Sequence, residues 1–274
     1  MKAQSVVGMR RRCSGGLGNR LFQVSLLQAL GETAKCDVRR PLDDGVRSLE
    51  SAEMRFEPGR LILGRVVPND MMKRGSFSEV CDFVFTCQES GSPVIVPPGG
   101  LGPFFRGAND AVGLRKYFKS GFQLAEPKFR ILFHFRGGDF HRWDLSAVMS
   151  PQFYSAAIDE INAYDETTVG LETAVVSDDH FHPTVDALKQ KLGTHPLNGS
   201  QETDFKRLTA ASYVVAAPST FSFWAAFLGS AVWVISRSWF ENSLNQPDLD
   251  RQRFWRDLEE RECFRGRTTI GFQL

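Results

Sequence analysis

Apolar residues along this chain fall into two kinds of segment: short unbroken runs, and longer stretches in which they recur every three or four positions. Unbroken runs read as strands covered on both faces, and helical spacing reads as the helices that cover them. After Pro127 the two kinds alternate regularly. Arg130 to Phe135 predicts a strand. Ser150 and Pro151 open a helix through Tyr164, with Ser150 at the N-cap and Pro151 in the first helical position. Ala174 to Ser177 predicts the next strand and Pro183 to Leu192 the next helix. Glu202 to Ser212 (helix), Tyr213 to Ala217 (strand), Ser219 to Leu228 (helix) and Val232 to Ile235 (strand) continue the series. Asp248 to Arg261 predicts a terminal helix.

The N-terminus begins the same way. Val6 to Cys13 predicts a strand running into Gly15-Gly16-Leu17-Gly18, and Leu21, Phe22, Val24, Leu26, Leu27 and Leu30 then follow at helical spacing until Gly31. From 41 to 125 prolines break the pattern into short strands, short helices and loops. Alternating strands and helices imply a parallel α/β sheet with right-handed crossovers. Two such beginnings in one chain predict two Rossmann-like lobes facing a cleft, residues 1–125 and 126–274. Ligands are expected beyond the carboxyl ends of the strands.

Composition changes this picture little. At 274 residues, 42% hydrophobic and 24% charged, the chain is long enough for two lobes and is ordinary globular material. A net charge of +1 supplies no overall field, so an anion must be held by a local cluster of donors, and a nucleic-acid partner is not expected. Five scattered cysteines, Cys13, Cys36, Cys81, Cys87 and Cys263, lack zinc spacing and read as free thiols of a reducing compartment. No apolar run approaches the ~18 residues of a spanning helix. A cytoplasmic location is therefore expected, which leaves peripheral membrane association open.

The candidate chemistry lies at the predicted strand ends. Arg136 follows an apolar strand and precedes Gly137-Gly138, so its guanidinium fork can meet a diphosphate on closely approaching backbone. A surface ion pair with Asp139 is the plainer alternative. Ser219-Thr220-Phe221-Ser222 opens a helix whose amides and hydroxyls suit an anion, or it is an ordinary cap. Asp178 and Asp179 can read a pair of N–H donors on a purine, or cap the helix that follows. His180 and His182 beside them read as surface loop histidines. Phe221, Phe223, Trp224 and Phe227 read as helix packing. The glycine loop fits a dinucleotide fingerprint poorly, because Leu21 stands where the third glycine belongs; a nicotinamide-dependent oxidoreductase is a weaker alternative that Asp37 keeps open.

Taken in order, these segments resemble the α-1,2-fucosyltransferases of glycosyltransferase family 11. Gly15 to Gln23 is similar to the family's G-G-L-G-N-Q-L-F-Q, with Arg20 in place of Gln. His134 to Phe140 is similar to H-I-R-R-G-D-Y, Ser177-Asp178-Asp179 to F-S-D-D, and Ser219 to Leu228 to S-T-F-S-W-W-G-A-Y-L. Asp204, Trp239 and Phe240 also fall where the family places similar residues. The resemblance spans residues 6 to 240 and implies a GT-B-like α/β fold with GDP-fucose as donor substrate. It also implies an acceptor oligosaccharide attacked at galactoside O2, inversion, and neither metal nor cofactor.

By the same resemblance, Arg136 and His134 belong to the diphosphate site, Asp178 or Asp179 to the guanine, and Ser219, Thr220, Phe221 and Ser222 to the phosphates and fucose. Gly18, Asn19 and Arg20 belong to the donor site from the other lobe. Asp139 is the nearest candidate base, although a carboxylate beside a guanidinium stays ionised and more readily orients it. Two departures stand out: the family's second Arg is Gly137, and the Asn before its S-T-F-S is Pro218. Protein O-fucosylating enzymes also keep one Arg after the His. Gly137→Arg is expected to raise turnover or leave it unchanged. A donor-binding protein without transferase activity is the second reading.

Overall fold

The computed structural model describes residues 5–10, 16–52, 54–59, 61, 63–74, 77–97, 117–118, 129–138, 140–143, 148–229, 231–236 and 270–272. The described residues up to 118 form one compact unit, and those from 129 onward a second. The boundary expected at 125 and 126 lies outside the described residues, as do Cys13, Gly15, Asp139, Trp239, Phe240, Cys263 and the expected terminal helix.

The first unit is a five-stranded parallel sheet in the order β3-β2-β1-β5-β4, from β1 (Val6–Gly8), β2 (Asp37–Arg40), β3 (Glu57–Pro58), β4 (Arg65–Val66) and β5 (Val94–Ile95). Its helices are α1 (Leu17–Thr33), α2 (Asp44–Arg47), α3 (Asn69–Arg74) and α4 (Phe77–Glu89). Strand β1 is shorter than the sequence pattern suggests. Helix α1 starts earlier than its apolar repeat and runs through Gly31 rather than stopping there. The reason is contact: a Cβ on Gly31 would lie 2.3 Å from Val38 Cγ2, so the glycine lets the helix lie directly on β2. The chain leaves α1 through Lys35, at φ 51. Among the described residues Cys36, Cys81 and Cys87 are free thiols, and no helix is long and apolar enough to cross a membrane.

The second unit carries six strands: β6 (Ile131–Phe135), β7 (Thr173–Ser177), β8 (His195–Leu197), β9 (Tyr213–Ala216), β10 (Val232–Ser236) and β11 (Ile270–Phe272). Their order is β11-β10-β9-β6-β7-β8 and every neighbouring pair is parallel. Helices α5 (Phe140–Trp143), α6 (Pro151–Tyr164), α7 (Pro183–Leu192), α8 (Gln201–Ala210) and α9 (Thr220–Leu228) connect or flank them. Ser150 caps α6 as expected, its Oγ accepting from the Phe153 N–H at 3.3 Å. The edge strand β8, built on His195-Pro196-Leu197, carries no apolar run and gives no sequence signal.

Strand order decides where this unit can bind a ligand. The first strand, β6, is central; β7 and β8 lie to one side, and the chain then returns to lay β9, β10 and β11 on the other. The crossover direction reverses between β6 and β9, and in open parallel sheets such a reversal is where a ligand crevice lies, beyond the carboxyl ends. Register brings those ends level, since Phe135 pairs with Ser177 and His134 with Ala216. Every residue of β6 is buried, with Phe133, Phe135, Phe153 and Tyr154 in one core cluster. Tyr154 packs its ring on Phe133 at 5.3 Å and donates its hydroxyl to the His134 carbonyl at 3.0 Å, fastening α6 to the end of β6. Tyr154→Phe is expected to lower stability by about 1 kcal/mol, because the carbonyl keeps its bond from the Ala217 N–H. Urea unfolding should show a lower midpoint with an unchanged slope.

Candidate functional site

Arg136 begins where β6 ends. Its Nη1 lies 3.1 Å from Asp178 Oδ2, both side chains being about a quarter exposed, and its guanidinium stands 5.4 Å over the Phe140 ring. The Asp178 Oδ1 accepts the Gly137 N–H at 3.0 Å, so one carboxylate secures two consecutive residues of the neighbouring loop. Asp178 follows the last residue of β7 as Arg136 follows the last residue of β6, and in a parallel pair such residues meet. The sequence offers Asp139 as a candidate base or as a carboxylate that orients Arg136, and Asp139 lies outside the described residues. Parallel register was the signal that identifies Asp178.

Both glycines of the loop are dictated by this packing. A Cβ on Gly138 would stand 2.6 Å from Asp178 Oδ2, and one on Gly137 would stand 2.8 Å from Phe135 Cε1 with the His182 ring at 3.4 Å. The structure changes the expectation for Gly137→Arg: the Cβ alone would press on the buried Phe135 ring, so the substitution must displace that ring or the loop. His182 is also not the loose surface residue expected. Its ring packs on Phe135 at 4.6 Å, and its Nδ1 accepts the Thr184 N–H at 3.1 Å as the N-cap of α7. That role had been the alternative assigned to Asp178 or Asp179. Asp179 instead makes a turn, its Oδ1 accepting the Phe181 N–H at 3.2 Å, and Nδ1 of the half-buried His180 is shut from solvent.

Across the crevice, Ser219 caps α9, its Oγ accepting the Phe221 N–H at 3.1 Å. Thr220 is half-buried in the first turn. Ser222 is fully buried and turns inward, donating to the carbonyls of Ala217 (2.8 Å) and Ser219 (3.0 Å), which closes the turn between β9 and α9. Phe223, Trp224 and Phe227 are packed as expected. The ring of half-buried Phe221 lies 5.3 Å from His134 and 5.4 Å from Phe205. Asp204, beside Phe205, is almost fully buried; burial pushes its pKa up while Arg207, with Nη1 at 2.8 Å, opposes the shift.

In the first unit, Gly18 is buried and Asn19 half-buried in the opening turn of α1, whose N-cap Gly16 provides no side-chain bond. Arg20 is committed locally: its Nη1 lies 2.7 Å from Asp43 Oδ1, the carboxylate that also caps α2. Among the described residues no group of three metal-ligating side chains gathers.

The fold has solved counterparts. The fucosyltransferase NodZ from Bradyrhizobium aligns with a TM-score of 0.51 at 14% identity, covering 82% of this chain and 92% of that one. NodZ α-1,6-fucosyltransferase soaked with GDP-fucose aligns at 0.45, with 12% identity and coverage of 82% and 93%. POFUT1 in complex with GDP-fucose aligns at 0.43, with 14% identity and coverage of 82% and 94%. No family model matches the chain, and no curated protein matches its sequence. The architecture is that of the GT-B fucosyltransferases: α/β, with two parallel sheets and their helices. A fold of this kind hosts many chemistries, so activity has to be argued from the site.

His134 sets the electrostatics beneath the arginine. It is 4% exposed and its Nδ1 has no hydrogen-bond partner among the described residues. Burial chiefly, and the Arg136 charge secondarily, push its pKa down to about 3 from an ordinary 6.5. The imidazole is therefore neutral throughout the physiological range. Unfolding restores the ordinary value, so below pH 6.5 the unfolded chain binds the extra proton and stability falls as pH drops toward 3. His134→Asn should remove this component, up to ~1.4 kcal/mol per pH unit, which urea titrations at pH 7 and pH 5 would reveal. Gly137→Ala should cost about 1–3 kcal/mol by overpacking against Phe135, and Gly137→Arg should cost at least as much and lower any turnover, as thermal unfolding and activity assays would read.

Proposed function

We propose that this chain is a fucosyltransferase that moves fucose from GDP-fucose to a hydroxyl of an acceptor oligosaccharide. The family resemblance further supports galactoside O2 as the attacked position, inversion at the anomeric carbon, and no metal or cofactor. The observation that carries the reading is the Arg136 guanidinium, fixed by Asp178 at the carboxyl end of the central strand, beside the point where strand order reverses. A fixed guanidinium matches two phosphate oxygens and stabilises a departing diphosphate. The opening turn of α9 at Ser219 and Thr220 faces the same crevice from β9 and favours negative charge.

The reaction is a single displacement. The acceptor oxygen bonds to the fucose anomeric carbon as the bond to the β-phosphate oxygen breaks; GDP takes that electron pair and the acceptor hydroxyl gives its proton to water, through an oxocarbenium-like transition state. Arg136 is present before the charge develops, which is the condition for lowering the barrier. In this scheme Asp178 orients Arg136, and Asp179, whose carboxylate lies further along the same loop and takes the Phe181 N–H, is the residue proposed to meet the guanine. Neutral His134 presents no charge that would compete with Arg136 for its partner. For Gly18, Asn19, Arg20 and Asp139 the support is the motif alone.

The test is a titration with GDP, GDP-fucose, a UDP-sugar and NAD, followed by assay of GDP release in the presence of acceptor oligosaccharides. Binding of GDP and GDP-fucose but not NAD is expected. Arg136→Ala should lower turnover about 10²–10³-fold. Unchanged turnover in that variant, or NAD binding with indifference to GDP, would sink the proposal; saturable GDP-fucose binding with no release would leave a donor-binding protein in its place.

A further inference from the structure

The loop after β7 is held along its length. Asp178 is bonded to Arg136 and Gly137, the Asp179 N–H donates to Ser177 Oγ at 2.9 Å, and the Asp179 carboxylate takes the Phe181 N–H. His182 caps α7 with its ring against Phe135. In the middle of this anchored turn Phe181 leaves its side chain in water at 93% exposure, the highest of any large apolar side chain among the described residues. A single exposed apolar residue is ordinary on a protein surface. This one stands at the carboxyl edge of the sheet, three residues beyond the carboxylate that touches Arg136, which bounds the separation along the chain at about 11 Å. A nucleoside whose diphosphate lay on Arg136 would present its base along this same carboxyl edge of the sheet. The backbone that presents the ring is already ordered, so little freedom remains to be lost when a flat ligand settles on it.

We infer that Phe181 is the base-stacking residue of this site, its ring covering one face of the purine of a bound nucleoside diphosphate. The inference rests on the nucleotide-sugar reading above and adds the residue that holds the base by its face, while polar groups of the loop meet its edge. Stacking of this kind contributes affinity without selecting strongly among bases.

Calorimetric titration of the unaltered protein, Phe181→Ala and Phe181→Trp with GDP and with inorganic pyrophosphate tests it. Phe181→Ala should bind GDP about tenfold more weakly and pyrophosphate as before, and Phe181→Trp should keep the affinity for GDP. Because the side chain lies in water, neither substitution disturbs the core. Unchanged GDP affinity in Phe181→Ala would overturn the inference and leave the proposed function standing. Equal losses of GDP and pyrophosphate would also overturn it, since they would show the residue acting through the Arg136 loop. Failure of the unaltered protein to bind GDP at all would remove both.

Discussion

One carboxylate, shared between the loops after two adjacent parallel strands, gives this site its form. Asp178 takes the Gly137 N–H on one oxygen and Arg136 on the other. With both side chains about a quarter exposed, the ion pair itself contributes ~1 kcal/mol or less to stability. Its consequence is geometric. A guanidinium presents its donors in a rigid plane, so fixing one edge fixes the direction of the others. The glycines follow from the same contact, Gly138 because Asp178 fills the space its side chain would take, and Gly137 because Phe135 does.

Next to the arginine, the end of β6 is largely apolar. Phe205 meets Phe221 edge to face, Phe221 lies tilted against the neutral His134, and the Tyr154 hydroxyl and the Ala217 N–H both end on the His134 carbonyl. A cation set beside such a surface is less screened than one on open ground, so it acts more strongly on a nearby anion. The aromatic residues of α9 thus divide in two: Phe223, Trp224 and Phe227 are core, and Phe221 is half-buried with its ring against His134.

Periodicity made most of the second unit legible, because parallel strands buried on both faces must be unbroken apolar runs and the connecting helices carry their own caps. Ser150, Pro151 and Ser219 stand where the chemistry of helix ends requires. The edge strand β8 escaped because an exposed strand of His, Pro and Leu has neither run nor alternation. Gly31 misled because it serves packing between α1 and β2 rather than a helix end. At the site, the position of Arg136 was readable from the chain and its partner was not, since Asp178 reaches it through strand register. His182 was misjudged for a similar reason: its ring packs on Phe135, a residue 47 positions earlier at the end of β6.

The all-parallel sheet also orders events in time. Gly137 and Asp178 are bonded across 41 positions of chain, and no hairpin can bring β6 and β7 together, because parallel neighbours require a complete crossover between them. The Arg136 loop therefore cannot take this form as a local structure of the nascent chain. Only after α6 has folded and β7 has docked does Arg136 acquire its direction, so this corner of the protein forms late, as contacts distant in sequence do.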